Sequence, residues 1–392
     1  MNILFYTTYK VSSTKGGTER TTISVANGLK QFYHCKCYSL YWVKAETPKE
    51  NCFEEEFLYP FINTNEELKL LINTYNIDII IIQGAFSMVH LFKTFIKNLN
   101  IKMVFVHHFA PGWEENSLQM ERVIIEIFKS SSKINSIKNL AKLIYFPIAK
   151  VTIRQRLRNR YKNAYEFADI VVLLCHDFIY QYADYGRISD VSKFKVIPNG
   201  LSYNEYATIN MVSDKKPIVL IVSRLEERQK RISIALKIWR EVKKNPASEG
   251  WILNIVGHGP NKEKYEKMIR KLSIPDVCLL GRQQPKPYYE EASIFMMTSR
   301  SEGWGLTLTE AQQFGVAPIA FDTYASLRDI ITNDEDGIIV PECDVEMYVK
   351  KLLNLMNDQT NRKRMALNSI RNCKRFSQEE IAKKWWNLLN DR

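Results

Sequence analysis

No apolar run in the 392 residues approaches the roughly 20 needed to cross a bilayer, so the sequence predicts no membrane-spanning helix. Paired cysteines are missing too. Cys35 and Cys37 flank one lysine, and Cys52, Cys175, Cys278, Cys343 and Cys373 are scattered, so no C-x2-C spacing points to zinc or a redox dithiol. The seven read as reduced, mostly packing residues. The start, Met1-Asn2-Ile3-Leu4-Phe5-Tyr6, lacks a basic n-region and reads as a first strand, not a signal peptide. Together these absences predict a cytosolic protein. One stretch also lacks negative charge: from Ile127 to Tyr165 there are ten Lys or Arg and no Asp or Glu, which accounts for most of the net charge of +12. No RNP, KH or helix-turn-helix pattern accompanies that charge, so no nucleic-acid partner is expected.

Within the basic segment, residues 127–165, Ile137, Leu140, Ala141, Ile144 and Ile148 follow helical spacing with Lys138 and Lys142 on one flank, and Pro147 is expected to interrupt the helix. A second pattern, Ile153, Leu157, Tyr161 and Tyr165, accompanies Arg154, Arg156, Arg158, Arg160 and Lys162. Basic amphipathic surfaces are drawn to anionic lipid at about 1 kcal/mol per Lys or Arg before screening. The segment therefore predicts peripheral association with an anionic membrane surface, the inner face of the cell membrane. The other reading is a pair of core-packed helices with solvated basic faces.

Hydrophobic content of 45% and charged content of 25% describe a globular chain, and 392 residues suit two domains. Strand candidates in the first half are Ile3–Tyr6, Ile77–Ile82, Lys102–Val106, Ile170–Leu174 and Lys195–Ile197. Short, continuous apolar runs such as Ile79-Ile80-Ile81-Ile82 suit parallel strands covered on both faces. In the second half the runs recur at Ile218–Val222, Ile252–Val256, Val277–Leu280, Ile294–Met297, Val316–Phe321 and Gly337–Val340. Helical patterns between them make an α/β protein of two doubly wound sheets. Turn formers at Pro198-Asn199-Gly200 and the polar run before Lys215-Lys216-Pro217 separate the halves. The domains are read as residues 1–205, residues 206–376, and a last helix in 377–392.

The most telling stretch is Ser301-Glu302-Gly303-Trp304-Gly305-Leu306-Thr307-Leu308-Thr309-Glu310-Ala311, just after Ile294–Met297. A carboxylate at the end of a parallel strand can accept hydrogen bonds from sugar hydroxyls. The glycines let the backbone N–H groups of Gly305, Leu306 and Thr307 approach a phosphate at the start of the next helix. Glu310 would then face the same ligand from that helix. Hexose hydroxyls, diphosphate and ribose are the three contacts a nucleotide sugar needs. Arg224 closes another strand and Lys230 lies six residues later, so two fixed cations could hold a diphosphate and stabilise the charge growing on it as a glycosidic bond breaks. Arg228 is a competing partner. His107 and His108 end the strand Lys102–Val106 at the ligand-binding edge of an open sheet, and adjacent strand residues point opposite ways. Trp304 could shape a pocket floor or be a core residue. Asp334-Glu335-Asp336 resembles a metal cluster, but it precedes Gly337 in an expected exposed turn and is given no catalytic role.

The order of these motifs resembles the retaining glycosyltransferases of family 4. The resemblance runs from Gly16-Gly17-Thr18-Glu19-Arg20 through Pro198-Asn199-Gly200-Leu201, Val222-Ser223-Arg224-Leu225 and Gly257-His258-Gly259-Pro260 to Phe376-Ser377, with the Glu302 to Glu310 block the most specific. It implies the GT-B fold: two Rossmann-like domains facing a central cleft, with a C-terminal helix crossing back to the first. It places Gly16 and Gly17 against the donor phosphates or the acceptor and favours His107 as the residue near the reacting sugar, with His108 still open. It assigns Glu302 to the hexose and Glu310 to the ribose. Many family members place the lysine five residues after the arginine; here the spacing is six.

The resulting expectation is retaining transfer of a hexose from a nucleotide diphosphate sugar to a glycan or lipid-linked acceptor, without metal or other cofactor. Richness in Asn, Lys and Ile suits an AT-rich bacterial genome, and with it surface polysaccharide, lipopolysaccharide or glycoprotein assembly. The alternatives are a nucleotide-sugar epimerase of similar fold and a non-catalytic nucleotide-sugar-binding protein.

Overall fold

A computed structural model describes residues 1–13, 16–59, 65–117 and 133–391, with the backbone alone for residues 65, 116–117 and 133–149. Two parallel sheets organise it. The first comprises β1 (Asn2–Tyr9), β2 (Lys36–Val43), β3 (Glu56–Leu58), β4 (Ile79–Gln83), β5 (Lys102–Val106), β6 (Ile170–Leu173) and β7 (Phe194–Val196), in the order β3-β2-β1-β4-β5-β6-β7. The second comprises β8 (Lys216–Val222), β9 (Ile252–Val256), β10 (Val277–Gly281), β11 (Ala292–Met297), β12 (Ala317–Asp322) and β13 (Ile338–Pro341), in the order β10-β9-β8-β11-β12-β13. Helices connect the strands, and every described strand pairing is parallel. Two doubly wound sheets are therefore present, as the apolar runs predict.

The runs place most strands within a residue or two, but β2 and β3 are additions. In β2 the residues Cys37 to Tyr41 are buried through cysteine, tyrosine and serine, a composition that does not read as an apolar run. The chain forms two compact units: Met1–Lys10 with Lys36–Val196, and Val11–Cys35 with Ile197–Arg392. The helix Gly17–Tyr33 thus leaves β1 and packs with the second unit.

Its partner there is the C-terminal helix, Gln378–Asn390. Gly28 permits the approach: a Cβ at that position would stand 2.8 Å from Cβ of Ala382. The Gln378 amide donates to Ser24 O at 3.1 Å. Tyr33 stacks on Trp386 with centroids 4.8 Å apart and planes 9° off parallel. Ser377 caps the C-terminal helix by accepting the Glu380 N–H. In the second unit's core, Trp239 and Tyr348 are wholly buried. Each satisfies its polar atom on backbone: Trp239 Nε1 donates to Pro275 O at 3.0 Å, and Tyr348 OH to Ile319 O at 2.7 Å.

The basic segment departs from expectation in one respect. Residues 127–132 lie outside the described residues, and from Lys133 a single helix runs to Phe167 without ending at Pro147. A proline inside a helix removes one backbone bond, but the turns on either side can carry the helix onward. Leu157, Tyr161, Ala164 and Tyr165 are buried in the first unit, while Lys150, Arg154, Arg156, Arg160 and Lys162 are exposed. Among the described residues no helix is long and apolar enough to cross a membrane.

His107 and His108 are core residues of the first unit. Tyr161 OH lies 3.4 Å from His107 Nε2 in a nest of Phe86, Phe105 and Tyr182 rings, and His108 Nε2 lies 2.5 Å from Gln83 Oε1. Burial disfavours the charged imidazole and pushes His107 down to about 3 and His108 to about 4, both from 6.5. Because the folded values lie below the unfolded one, the stability from neutral burial is complete above pH 6.5 and is lost as the pH falls toward 4 and 3. We expect the melting temperature to drop steadily between pH 6.5 and pH 4.5, and His107→Phe to flatten that slope. An unchanged slope in the variant would show that His107 is not buried as the neutral imidazole.

Candidate nucleotide-sugar site

In the second sheet the chain leaves β8 toward β9 on one side and later returns to β11 on the other, so the crossovers diverge between these two neighbouring strands. Such a switch point leaves the carboxyl ends of both strands uncovered, and open α/β sheets bind ligands there. Arg224 follows β8 and Glu302 follows β11.

Two glycines shape the first of these loops. At Gly257 a Cβ would fall 1.8 Å from Ser223 O, and at Gly259 one would fall 2.5 Å from Leu225 O, so only glycine lets the turn after β9 press on the backbone around Arg224. Backbone bonds lock the contact: Ser223 N–H to Val256 O at 3.0 Å, Leu225 N–H to His258 O at 2.9 Å and Asn261 N–H to Leu225 O at 3.1 Å. Arg224 emerges exposed from this fixed loop, with Nη2 donating to Gln229 Oε1 at 3.1 Å.

A short helix, Glu227–Lys230, follows, with the Glu226 carboxylate accepting the Arg228 and Gln229 N–H groups. It is stitched to the loop after β11. Arg300 N–H donates to Gln229 O at 2.6 Å, the Gln229 amide to Ser301 O at 3.0 Å, and Thr298 Oγ1 to Lys230 O at 3.0 Å. Lys230 Nζ then lies 2.5 Å from Glu302 Oε1, with both side chains largely buried. Of Lys230 and Arg228, Lys230 is the one paired with Glu302. This fixes an ammonium and a carboxylate at the switch point before any ligand arrives.

Gly305 opens the helix Leu306–Gln313 at a φ of +88°, where a Cβ would meet Tyr324 OH at 3.1 Å. The helical ladder begins with Leu308 N–H on Gly305 O, leaving Leu306 and Thr307 N–H without an intrahelical acceptor, as at any helix start. Gly16 and Gly17 come to the same place from the other end of the sequence: a Cβ on Gly17 would be 3.3 Å from Leu306 Cδ1. Two helix N-termini, the positive ends of their dipoles, thus lie side by side.

Glu310 is placed differently from the sequence expectation. It is wholly buried, and its oxygens accept from Arg20 Nη2 at 2.8 Å, Ser202 Oγ at 2.5 Å and Tyr289 OH at 2.8 Å. Neither oxygen faces open space in this arrangement. Sequence reasoning missed Arg20, Ser202 and Tyr289; the one available signal was that Arg20 belongs to the Gly16–Arg20 motif.

Trp304 is buried against Phe376, centroids 5.1 Å apart, so it is a packing residue. In the acidic cluster Asp334 and Glu335 are exposed, but Asp336 is buried, accepting from Thr332 N–H at 2.7 Å and Asn372 at 2.9 Å; the expected exposed turn is only partly so. All seven cysteines are free.

Residues 204–372 match the family model for group 1 glycosyl transferases. The amylovoran biosynthesis glycosyltransferase AmsD of Erwinia amylovora is 30% identical over 56% of this chain and 62% of its own, so the match spans less than two thirds of that relative. An uncharacterized glycosyltransferase of Haemophilus influenzae is 25% identical over 95% of this chain and 96% of its own. Among solved structures, HepE of Anabaena in complex with UDP superposes with a TM-score of 0.73 at 15% identity, covering 99% of both chains. The two doubly wound sheets and this end-to-end superposition make the fold GT-B.

Proposed function

We propose that the protein is a retaining glycosyltransferase of family 4 that transfers a hexose from a nucleotide diphosphate sugar to a glycan or lipid-linked acceptor in bacterial surface-glycan assembly. The observation that carries this is the convergence of Arg224, the Lys230–Glu302 pair and the start of the Leu306 helix at one switch point, inside the region that matches group 1 glycosyl transferases. The name of AmsD and the UDP bound to HepE point the same way for acceptor class and donor.

In this reading Arg224, Lys230 and the N–H groups at the helix start bind the diphosphate, and their positive charge stabilises the leaving group as the glycosidic bond breaks. Glu302 has two tasks: it holds the Lys230 ammonium in place and accepts hydrogen bonds from hexose hydroxyls. Retention is what the motif resemblance implies. With no side chain assigned as nucleophile, the acceptor hydroxyl attacks from the face the leaving phosphate departs, and the departing phosphate oxygen takes its proton. The epimerase alternative requires acid/base carboxylates in a pattern of its own, which this sequence does not carry. Basic side chains along Lys150 to Lys162 attract anionic lipid by charge alone, since the apolar stripe of that stretch is packed inward. That attraction would hold the enzyme at the inner membrane surface.

Three outcomes follow. Loss of a charge-assisted hydrogen bond costs about 1.5 to 3 kcal/mol, so Arg224→Ala and Lys230→Ala should each lower turnover at least tenfold while the melting temperature stays within a few degrees. Wild-type turnover in both would refute the site; thermal-shift screening against UDP-, GDP- and ADP-sugars identifies the donor, and NMR of the product its anomer. Since side-chain cations and amides do the electrostatic work, transfer should continue in EDTA, and loss on chelation with recovery by Mg2+ or Mn2+ would show that a metal shares the diphosphate. In flotation assays the protein should rise with anionic but not neutral vesicles, less so at high salt, and Lys150→Gln, Arg156→Gln and Arg160→Gln together should weaken the effect; indifference to anionic vesicles at low salt rules the membrane role out.

A further inference from the structure

The strands of the first sheet all run the same way, so the loops that follow β1, β2 and β5 leave from one edge. It is the carboxyl edge, where open α/β sheets bind ligands. Four large rings stand exposed along it: Trp42 at the end of β2, Tyr9 at the end of β1, and Phe109 and Trp113 just after β5. Tyr9 lies beside Val43 in the register of β1 on β2, one strand in from Trp42 toward β5. Several exposed rings along one edge of a sheet mark a surface that a ligand covers.

Both ends of this row are held firmly. Trp42 stacks on Tyr59, centroids 5.1 Å apart, and Tyr59 is wedged edge-on against Tyr6 and Phe92 in the core at 6.1 and 6.0 Å. At the other end Phe109 and Trp113 lie against each other with centroids 4.6 Å apart, on a loop tied to two helices. Tyr161, from the helix Lys133–Phe167, accepts the Gly112 N–H at 2.9 Å and donates to Glu114 at 2.8 Å. Glu115 accepts from Arg154 of that helix at 2.8 Å and from Tyr185 of the helix Asp177–Gly186 at 2.8 Å. Rings fixed before a ligand arrives lose little freedom on binding it, so the row is preorganised for contact.

The spacing and the charge say what that contact is. β2 and β5 stand three places apart in the sheet, which separates the two ends by about 14 Å at the usual strand spacing. That is too far for one sugar ring and suits a short chain of them. A pyranose packs its C–H face flat on an aromatic ring and leaves its hydroxyls at the rim for water or carboxylates, the mixture of apolar body and polar edge that Trp and Tyr suit. Glu114 and Glu115 directly follow Trp113, and carboxylates there suit hydroxyl groups and repel anionic lipid headgroups.

We propose that Trp42, Tyr9, Phe109 and Trp113 form a glycan-binding ledge that holds several sugar residues of an oligosaccharide acceptor at once, so that acceptors are selected by length. This role rests on the glycosyltransferase reading above and adds the acceptor class to it: an extended glycan, recognised along its chain.

The test is saturation-transfer NMR and tryptophan fluorescence titration of the full chain with maltotetraose, cellotetraose, chitotetraose and a galactotetraose, each against its own monosaccharide. Stacking reads a C–H face common to pyranoses, so the panel does not have to contain the natural acceptor. At least one tetrasaccharide should bind tenfold or more tighter than its monosaccharide. Trp42→Ala with Trp113→Ala should abolish that preference for length while affinity for the nucleotide sugar stays within twofold, and Trp42→Tyr with Trp113→Tyr should recover part of it. Both positions are exposed, and an unchanged melting temperature in the aromatic pair of variants separates loss of binding from loss of fold. A preference for length that survives in the alanine variant overturns the proposal, as does a wild type that binds no tetrasaccharide better than its monosaccharide. So does an alanine variant that keeps oligosaccharide binding but no longer floats with vesicles of phosphatidylglycerol in phosphatidylcholine, because the rings then serve the membrane. A wild type that binds tetrasaccharides but no UDP-, GDP- or ADP-sugar overturns the transferase reading, and the acceptor role with it, while the sugar-binding ledge itself stands.

Discussion

The divergence of chain crossovers between β8 and β11 is the constraint on which the candidate site depends. Parallel strands need long crossovers, and where two of them leave adjacent strands in opposite directions no helix can cover the carboxyl ends between them. Backbone groups there cannot be finished by the sheet. The chain completes them with loop-to-loop bonds, through Gln229, Thr298 and Arg300, and spends its charged side chains at the opening. Lys230 and Glu302 can come together only because β8 and β11 are neighbours in space, although β9 and β10 lie between them in the chain.

Glycine has a specific place in this arrangement. Gly257 and Gly259 do not mark flexible turns; they are contact surfaces, where the absent Cβ is what allows two backbones to touch. The loop that carries Arg224 is therefore rigid on one side and open on the other. A cation held in that way approaches its ligand with little conformational freedom to lose, the condition under which charged contacts are most effective.

Much of this was legible in the sequence, and what was not has physical causes. Runs such as Ile79 to Ile82 announced buried parallel strands because both faces of such a strand are covered. β2 did not announce itself, because Cys37, Tyr38, Ser39 and Tyr41 can be buried without composing an apolar run. Local rules place a helix end at Pro147, whereas helical backbone on both sides carries the chain through it. Arg224, Lys230 and Glu302 could be nominated from strand ends and charge. The partner of Glu310 could not, since nothing in the spacing of Arg20, Ser202, Tyr289 and Glu310 tells that they share one buried spot. Acidic residues near a glycine, as at Asp334 to Asp336, look alike whether they are solvated or buried, and only the backbone donor of Thr332 and the amide of Asn372 decide that Asp336 is inside.

The helix Gly17–Tyr33 makes the second unit discontinuous, because the chain enters it at Val11, leaves it at Cys35 and returns at Ile197. No single cut can therefore liberate that unit intact. A fragment beginning near residue 197 would lack the helix against which the C-terminal helix packs, leaving Ala382 without Gly28, Trp386 without Tyr33 and Glu310 without its guanidinium partner. The segment Val11–Cys35 and the half from Ile197 onward are in this sense one folding unit. Evolution by recombination of halves would have to exchange the N-terminal helix together with the C-terminal domain, and grafts that respect only the linear midpoint would be expected to fail at the C-terminal helix before they fail at any residue of the site.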